Sequence, residues 1–443
     1  MQDDTGTAPG TTTLTDRALA LVRNGRSALT VGLLVDGVAS YLFLTAAGRA
    51  LGPDRFATVS VLWAVLFLVA NGLFIPVEQE LSRSIAARTA RGVGHRNLVR
   101  RVAALTAGLF AVTALVAFVF RARIADSLFR DQFGFVTALV VGIGGGALAY
   151  AVRGILAGTN RYHGFAVLFL SDAAAKALPA MALALAGVDQ AMAYAVVMVA
   201  SPFVGALVPM TARDPRPRLP EEAPPAWSPL ASSMGFLLLT SFLTALTLNV
   251  GTLSVEVLAG PSEADAAGIF LSGLVIARVP LFLFQAVQAI VLPRLSGLAA
   301  VGDVDGFRRY LRLLGLGMVG CTVAGVLGSA LVGPLLVRVL FGEDFAALGA
   351  RDMALLTLAS MLMTCAMTVN QAQIALHHQR QTGWPWGVAT LAFVVVTGTA
   401  ANDLFLRVEL GMVAAGATAL GLAAALLGLE LRTERSIVAR RPY

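Results

Sequence analysis

The sequence predicts an all-α, multi-pass transmembrane bundle of about 12 helices, in two pseudo-symmetric six-helix lobes around a central cavity. Three observations lead there. Hydrophobic residues make up 57% of the 443 positions against 13% charged, and the mean hydropathy is +0.77; soluble chains carry roughly 25% charged residues. The apolar residues gather into runs of ~20, the length that crosses a ~30 Å hydrocarbon core as a helix. Backbone groups find no water there, so spans must be helices or closed barrels, and these runs are too continuously apolar for barrel strands. Finally, short motifs recur at a nearly constant offset in the two halves.

Taken in order, the predicted spans cover residues 28–47, 57–76, 102–120, 135–152, 165–186 and 191–210, then 232–257, 267–292, 313–332, 353–375, 384–401 and 410–428. The division that follows is a polar, Thr-rich, disordered cytoplasmic N-terminus (1–27), an N-lobe (28–210), a Pro-rich charged cytoplasmic linker (211–229), a C-lobe (230–429) and a cytoplasmic tail (430–443). Proline-rich charged segments make semi-rigid, solvated linkers. No short apolar region with a small-residue cleavage site follows the N-terminus, so the first run reads as a retained span.

Basic residues set the expected orientation. With the N-terminus inside, 23 of the 33 Lys and Arg fall in inner segments, eight in outer loops, and Lys176 and Arg278 inside spans. That is the positive-inside bias, and it places both termini in the cytoplasm. The net charge of +7 is then explained by topology and contact with anionic lipid headgroups, and nucleic acid is not an expected partner.

The repeats run in register. Leu51-Gly52-Pro53 after the first span matches Ala259-Gly260-Pro261 after the seventh. LSRSIAA (81–87) matches LSGLAA (295–300), and LFRDQF (128–133) matches LFGEDF (340–345). The offsets, 208, 214 and 212 residues in chain order, stay within six of one another, as small insertions and deletions in a duplicated chain allow. Six spans per copy give both copies one orientation, with the pseudo-twofold axis along the membrane normal.

Enzyme and metal motifs are missing: no GxxxxGK[ST], HExxH or GxSxG occurs. Gly144, Gly145 and Gly146 lie within the fourth span and read as close helix packing. His377 and His378 are sequence neighbours that cannot share a helix face, and no metal is expected. Cys321 and Cys365 both fall in apolar runs, which argues against a disulfide framework.

With these features assembled, the chain resembles the polysaccharide-flippase branch of the multidrug/oligosaccharidyl-lipid/polysaccharide exporter superfamily. The likeness rests on the six-plus-six plan, GRALGPDRFA (48–57), LAGPSEADAAGIF (258–270) and VPLFLFQAVQAIVLPRLSGLAAVGD (279–303). It departs in having Phe56-Ala57 where an aromatic–Gly pair is common, and no acidic residue near Gly251. The resemblance implies a non-enzymatic flippase of a bacterial cell membrane, moving a polyprenyl-pyrophosphate-linked oligosaccharide for surface-polysaccharide synthesis. Its implied partners are that lipid-linked oligosaccharide, membrane lipids, and a polysaccharide polymerase or glycosyltransferase. A cation-coupled multidrug or small-molecule exporter and a lipid II flippase share the fold and stand as alternatives. A major-facilitator carrier lacks its Gly-x-x-x-Asp-Arg-x-Gly-Arg pattern here.

Charges inside spans cost ~2.5–3.5 kcal/mol each on insertion scales and mark functional positions. Arg278 lies mid-way along the eighth span beside Pro280, and a guanidinium binds phosphate bidentately; it is the expected pyrophosphate contact, the alternative being an ion pair with Asp36 or Asp172. Lys176 follows Asp172 by four residues, so the two share a helix face; it is either a second cavity cation or half of an intrahelical pair. The resemblance assigns Asp36 and Asp172 to coupling with H+ or Na+, with no other cofactor. Asn71, Asn249, Gln285 and Gln288 are expected to bond sugar hydroxyls, and Asn370 and Gln373 are further polar positions of this kind.

Overall fold

The computed structural model describes residues 25–211, 219–221, 227–260, 263–279, 291, 294–295, 298, 303–376 and 382–438. Gln285, Gln288, His377, His378 and most of the expected N-terminus and linker lie outside these residues. Helices account for nearly all of the rest, and no strand occurs among the described residues.

The first two spans form one helical stretch, α1 (Gly25–Ala90), broken at Gly52 with φ 69°. Glycine takes that left-handed conformation without the Cβ penalty, and Pro53 then restarts the helix lacking a donor it would not have used. The stretch runs on past Pro76 for a further fourteen residues, so the segment expected as an inner loop after the second span is helix. Phe74, Val77, Leu81 and Ile85 keep one helical face buried across that extension.

The first half continues with α2 (Arg96–Val119), α3 (Arg121–Phe129), α4 (Phe133–Gly158), α5 (Tyr162–Leu185) and α6 (Ala191–Met210). The second half holds α7 (Trp227–Leu258), α8 (Ala266–Ala277), α9 (Val304–Phe341), a 3-10 turn (Glu343–Phe345), α10 (Ala350–Ala375), α11 (Trp384–Thr399) and α12 (Leu404–Val438). Nine helices among the described residues are long and apolar enough to cross a membrane. Apolar side chains are exposed at helical spacing along α9 (Leu313, Leu316, Val323, Leu327, Leu331) and α2 (Val112, Leu115, Val119). Such stripes need a hydrocarbon cover.

Within the first half, α1 packs on α4 and α5, and α6 on both of these. Within the second, α12 packs on α10 and α11, and α9 on α10. The halves join mainly through α1 against α7 and α8. The glycine triplet of α4 works as close packing: a Cβ on Gly145 would come within 2.9 Å of Phe203, one on Gly146 within 3.1 Å of the Ala70 side chain, and one on Gly144 within 3.3 Å of Phe110.

Contacts sort the loops into two ends. At the end where the described helices begin at Gly25 and finish at Val438 (the termini end), Gly94 and the amides of Arg96 and Asn97 bond Pro220 and Glu221 of the linker. At the far end, Asp54, Arg130, Glu256 and Ala264 converge, and Phe56 meets Phe341 and Phe345 with ring centroids 6.0 and 5.9 Å apart.

Candidate functional site

Among the described residues, a cavity of about 180 Å³ opens inside the first half, between α1, α4, α5 and α6. This cavity lies within one half, whereas the sequence reading placed its cavity between the two; it forms because α1, α4 and α5 point ionisable groups into the interior of their own half.

Lys176 of α5 is 8% exposed. Its ammonium lies 2.8 Å from Asp172 on the same helix and 2.8 Å from Asp36 on α1. It also donates to the Ser40 hydroxyl at 3.2 Å. The i,i+4 spacing read from sequence is therefore a formed ion pair, and α1 adds a second carboxylate to it. Three donors meet three acceptors, so Lys176 is not a free cavity cation. Gly205 permits this packing, since a Cβ there would come within 2.8 Å of the Asp172 Cβ.

One turn nearer the termini end sits a second pair that the sequence reading missed. Arg153 of α4 lies 3.0 Å from the Glu78 carboxylate. Its guanidinium is 4.4 Å from the Tyr150 ring centroid, 5.2 Å from Phe169 and 5.8 Å from Phe165, a cation–π box. Asn71 accepts from the Tyr150 hydroxyl and lines the same cavity. Arg153 and Glu78 were assigned to inner loops because the fourth span was ended at Val152 and the second at Pro76. The periodic burial through Leu81 and Ile85 was the available signal that the helix continued. Asp36, Asp172, Lys176 and Arg153 line the cavity and Glu78, outside the lining, pairs with Arg153; with every group ionised these five leave the site one negative charge from neutrality.

Arg278 is separate from this cluster. Helix α8 runs to Ala277 and is interrupted at Arg278, whose backbone stays near the helical region (φ −91°, ψ −3°), with Val279 helical again. The Arg278 guanidinium donates to the Leu248 carbonyl of α7 and lies within electrostatic reach of Tyr41 on α1. It is thus half-buried where the halves meet, and no carboxylate among the described residues pairs with it. Asp36 and Asp172 lie against Lys176 instead, and neither pairs with Arg278 in this structure.

The second half is differently lined. Thr357, Ser360, Thr364 and Thr368 form a buried hydroxyl seam along α10; Thr364 and Thr368 donate to carbonyls one turn back at 2.7 and 2.8 Å. Asn249 does not face an opening as expected: its amide donates to Ala245 of its own helix at 2.8 Å and the residue is 4% exposed. Gln373 is fully buried. Glu409, also missed by placing the last span's start at Leu410, is 0% exposed, and its carboxylate oxygens have no partner among the described residues. No group of three metal-ligating side chains occurs among the described residues.

No family model matches the chain. It is 25% identical over 375 residues to an uncharacterized protein of Mycobacterium tuberculosis, covering 79% of this chain and 80% of that one. A second uncharacterized M. tuberculosis protein is 24% identical over 399 residues, covering 83% and 87%. Among solved structures, an inward-facing multidrug resistance MATE family transporter of the MOP superfamily superposes with a TM-score of 0.70 at 15% identity, over 89% of this chain and 95% of that one. Its outward-facing counterpart gives 0.64 at 16%, over 94% and 98%. A MOP superfamily transporter of Pyrococcus furiosus, described by a reversed polarity of its binding pocket that suggests a different function, gives 0.61 at 15%, over 93% and 98%. The chain is a multi-pass membrane protein with the fold of the MATE transporters of the MOP superfamily.

Proposed function

We propose that this protein is an alternating-access transporter that carries an amphipath with an anionic head, of the lipid-linked oligosaccharide class, across a bacterial cell membrane. Arg278 carries this reading. It is a planar, permanently charged donor fork retained between the halves, where a charge is expensive and where no described carboxylate neutralises it. A pyrophosphate offers that fork a bidentate partner. In this reading the termini end is cytoplasmic, the halves rock about the Arg278 region, and the apolar tail stays in the bilayer. Asp36 and Asp172 take up the coupling ion: one proton or one monovalent cation restores neutrality in the first-half cavity.

A second reading has its own support. The first-half cavity is walled by Phe43, Trp63 and Phe67 and carries one net negative charge, which suits a cationic amphipath and hence a multidrug exporter. Proteoliposomes separate the two. Arg278→Ala abolishes translocation of a fluorescent polyprenyl-pyrophosphate sugar and Arg278→Lys retains part of it, while efflux of a cationic dye is unchanged in both. Undiminished lipid translocation by a well-folded Arg278→Ala protein refutes the first reading.

A further inference from the structure

The duplicated motifs meet at the far end of the bundle, and transport chemistry leaves them unused. In the first copy, Arg130 of LFRDQF donates to the Asp54 carboxylate at 2.7 Å and to the Asp54 carbonyl at 3.1 Å. It also reaches across to the second half, to Glu256 at 3.1 Å and to the carbonyl of Ala264. Glu256 is 7% exposed at its side chain and Arg130 29%. In the second copy, Phe341 and Phe345 of LFGEDF pack on Phe56 of the first half. Phe341 also covers Gly48 so closely that a Cβ there would come within 2.6 Å of its ring.

The two contacts are copies of one another. The offset that aligns Gly52 with Gly260 aligns Gly48 with Glu256, and the offset that aligns Phe129 with Phe341 aligns Arg130 with Gly342. Each half therefore presses the same loop onto the same helix end of the other half. One copy does so with a ring on a glycine, and the other with a guanidinium on a carboxylate. Backbone geometry shows that the arginine is kept for its side chain. The aligned positions both have positive φ, 51° with ψ 52° at Arg130 and 115° with ψ 169° at Gly342. Glycine is the low-cost residue there, whereas a long side chain in that region is uncommon and survives where surrounding contacts hold it.

We propose that Arg130 is the positioning residue of the transport cycle at the far end: its bonds to Glu256 and Ala264 latch the two halves shut, and must break for that end to open. The inference rests on the alternating-access reading above, but on neither proposed substrate. Such an equilibrium shifts only through contacts that differ between states, and in the proposed cycle these bonds are the contact that the closed state makes and the open state loses. The aromatic clasp around Phe56 is apolar and ungated by charge, so the polar half of the contact is the one that sets the closed fraction.

Accessibility of a thiol behind the latch tests this in purified full-length protein in lipid nanodiscs, where both faces are reachable. Ser272 is fully buried and lies one turn below Gly268, whose Cβ position is 2.3 Å from the Pro53 carbonyl of the first half. In a Cys321→Ser, Cys365→Ala background, Ser272→Cys reacts slowly with a maleimide. Adding Arg130→Gln or Glu256→Gln speeds the reaction roughly tenfold, between the small effect of losing a surface pair and the larger one of losing a fully buried pair. Arg130→Lys gives an intermediate rate, because it keeps the charge and loses the fork. A thiol at Ser360, inside the second half, keeps its rate in every variant. Unchanged Ser272 labelling in both neutral variants, or a parallel rise at Ser360, overturns the latch. Should Arg130→Gln fail to fold, Glu256→Gln and Arg130→Lys carry the same test. Faster labelling in a protein that moves neither lipid nor dye would refute the proposed function and leave the latch standing.

Discussion

The two halves share a helical frame and have different interiors. The first gathers Asp36, Asp172, Lys176, Glu78 and Arg153 at one cavity. The second buries hydroxyls and amides along α10, with Glu409 the described carboxyl that lacks a partner. Duplication thus preserved the packing rows that build a six-helix unit, while the residues facing inward diverged in charge. The lesson is that a pseudo-twofold axis predicts where helices go and says little about which half does the chemistry.

The sharpest way to break this comparison is Lys176→Met. It leaves two carboxylates facing each other in a nearly closed site, and removing one partner from a buried ion network costs about 3–5 kcal/mol. A large fall in thermal midpoint in detergent is expected. Replacing all three groups together (Lys176→Met, Asp36→Asn, Asp172→Asn) recovers most of it, because no unpaired charge remains. A triple variant as unstable as the single one would mean that Lys176 contributes by its shape and not by its charge.

The second half should respond weakly to the same treatment. Glu409→Gln breaks no hydrogen bond with a described residue, and Thr364→Val removes one bond within a helix. Polar contacts between and within membrane helices average well under 1 kcal/mol, so each variant stays within about 1 kcal/mol of the parent. A drop at Glu409→Gln comparable to that at Lys176→Met would show that the second half also houses an essential charge.

The smallest expected effect lies at the linker. Burial acts to raise the Glu221 carboxyl. The amides of Arg96 and Asn97, with His95 and Arg88 nearby, outweigh that and hold it below its usual 4.5. A lowered folded-state value means the clamp contributes fully above the unfolded value and is lost as pH falls through the lowered one. Amide exchange at Arg96 and Asn97 should therefore be slow at pH 6 and accelerate relative to neighbouring amides as the pH falls below 4.5, allowing for the intrinsic rate. Glu221→Gln should show the fast behaviour at both pH values.

Much of the frame was legible because apolar runs and basic loops are imposed by the bilayer. Asp36, Asp172 and Lys176 were legible for the same reason: a charge in mid-run stands out. Arg153, Glu78 and Glu409 were not, because each lies within a turn or two of a span end, where a charge reads as loop. Pro76 compounded this, since a proline that the helix in fact passes through was taken as its end. Asn249 shows the opposite limit: the amide is in the right region, but its hydrogen bond runs back along its own helix. The recurring LF motifs were visible as repeats, yet their meeting across the axis needed the folded chain.

One element ties the two ends of the molecule together. Helix α9 has 38 residues, a beam of about 57 Å at 1.5 Å per residue, roughly twice the thickness of the hydrocarbon. At one tip Phe341 grips Phe56; near the other, Arg308 holds the Leu431 carbonyl of α12 at 3.0 Å. In the alternating-access reading proposed above, lifting the first tip would swing the second through an arc on the opposite side of the membrane, so that unclasping on one side is felt as closure on the other with no chain of side chains to relay it.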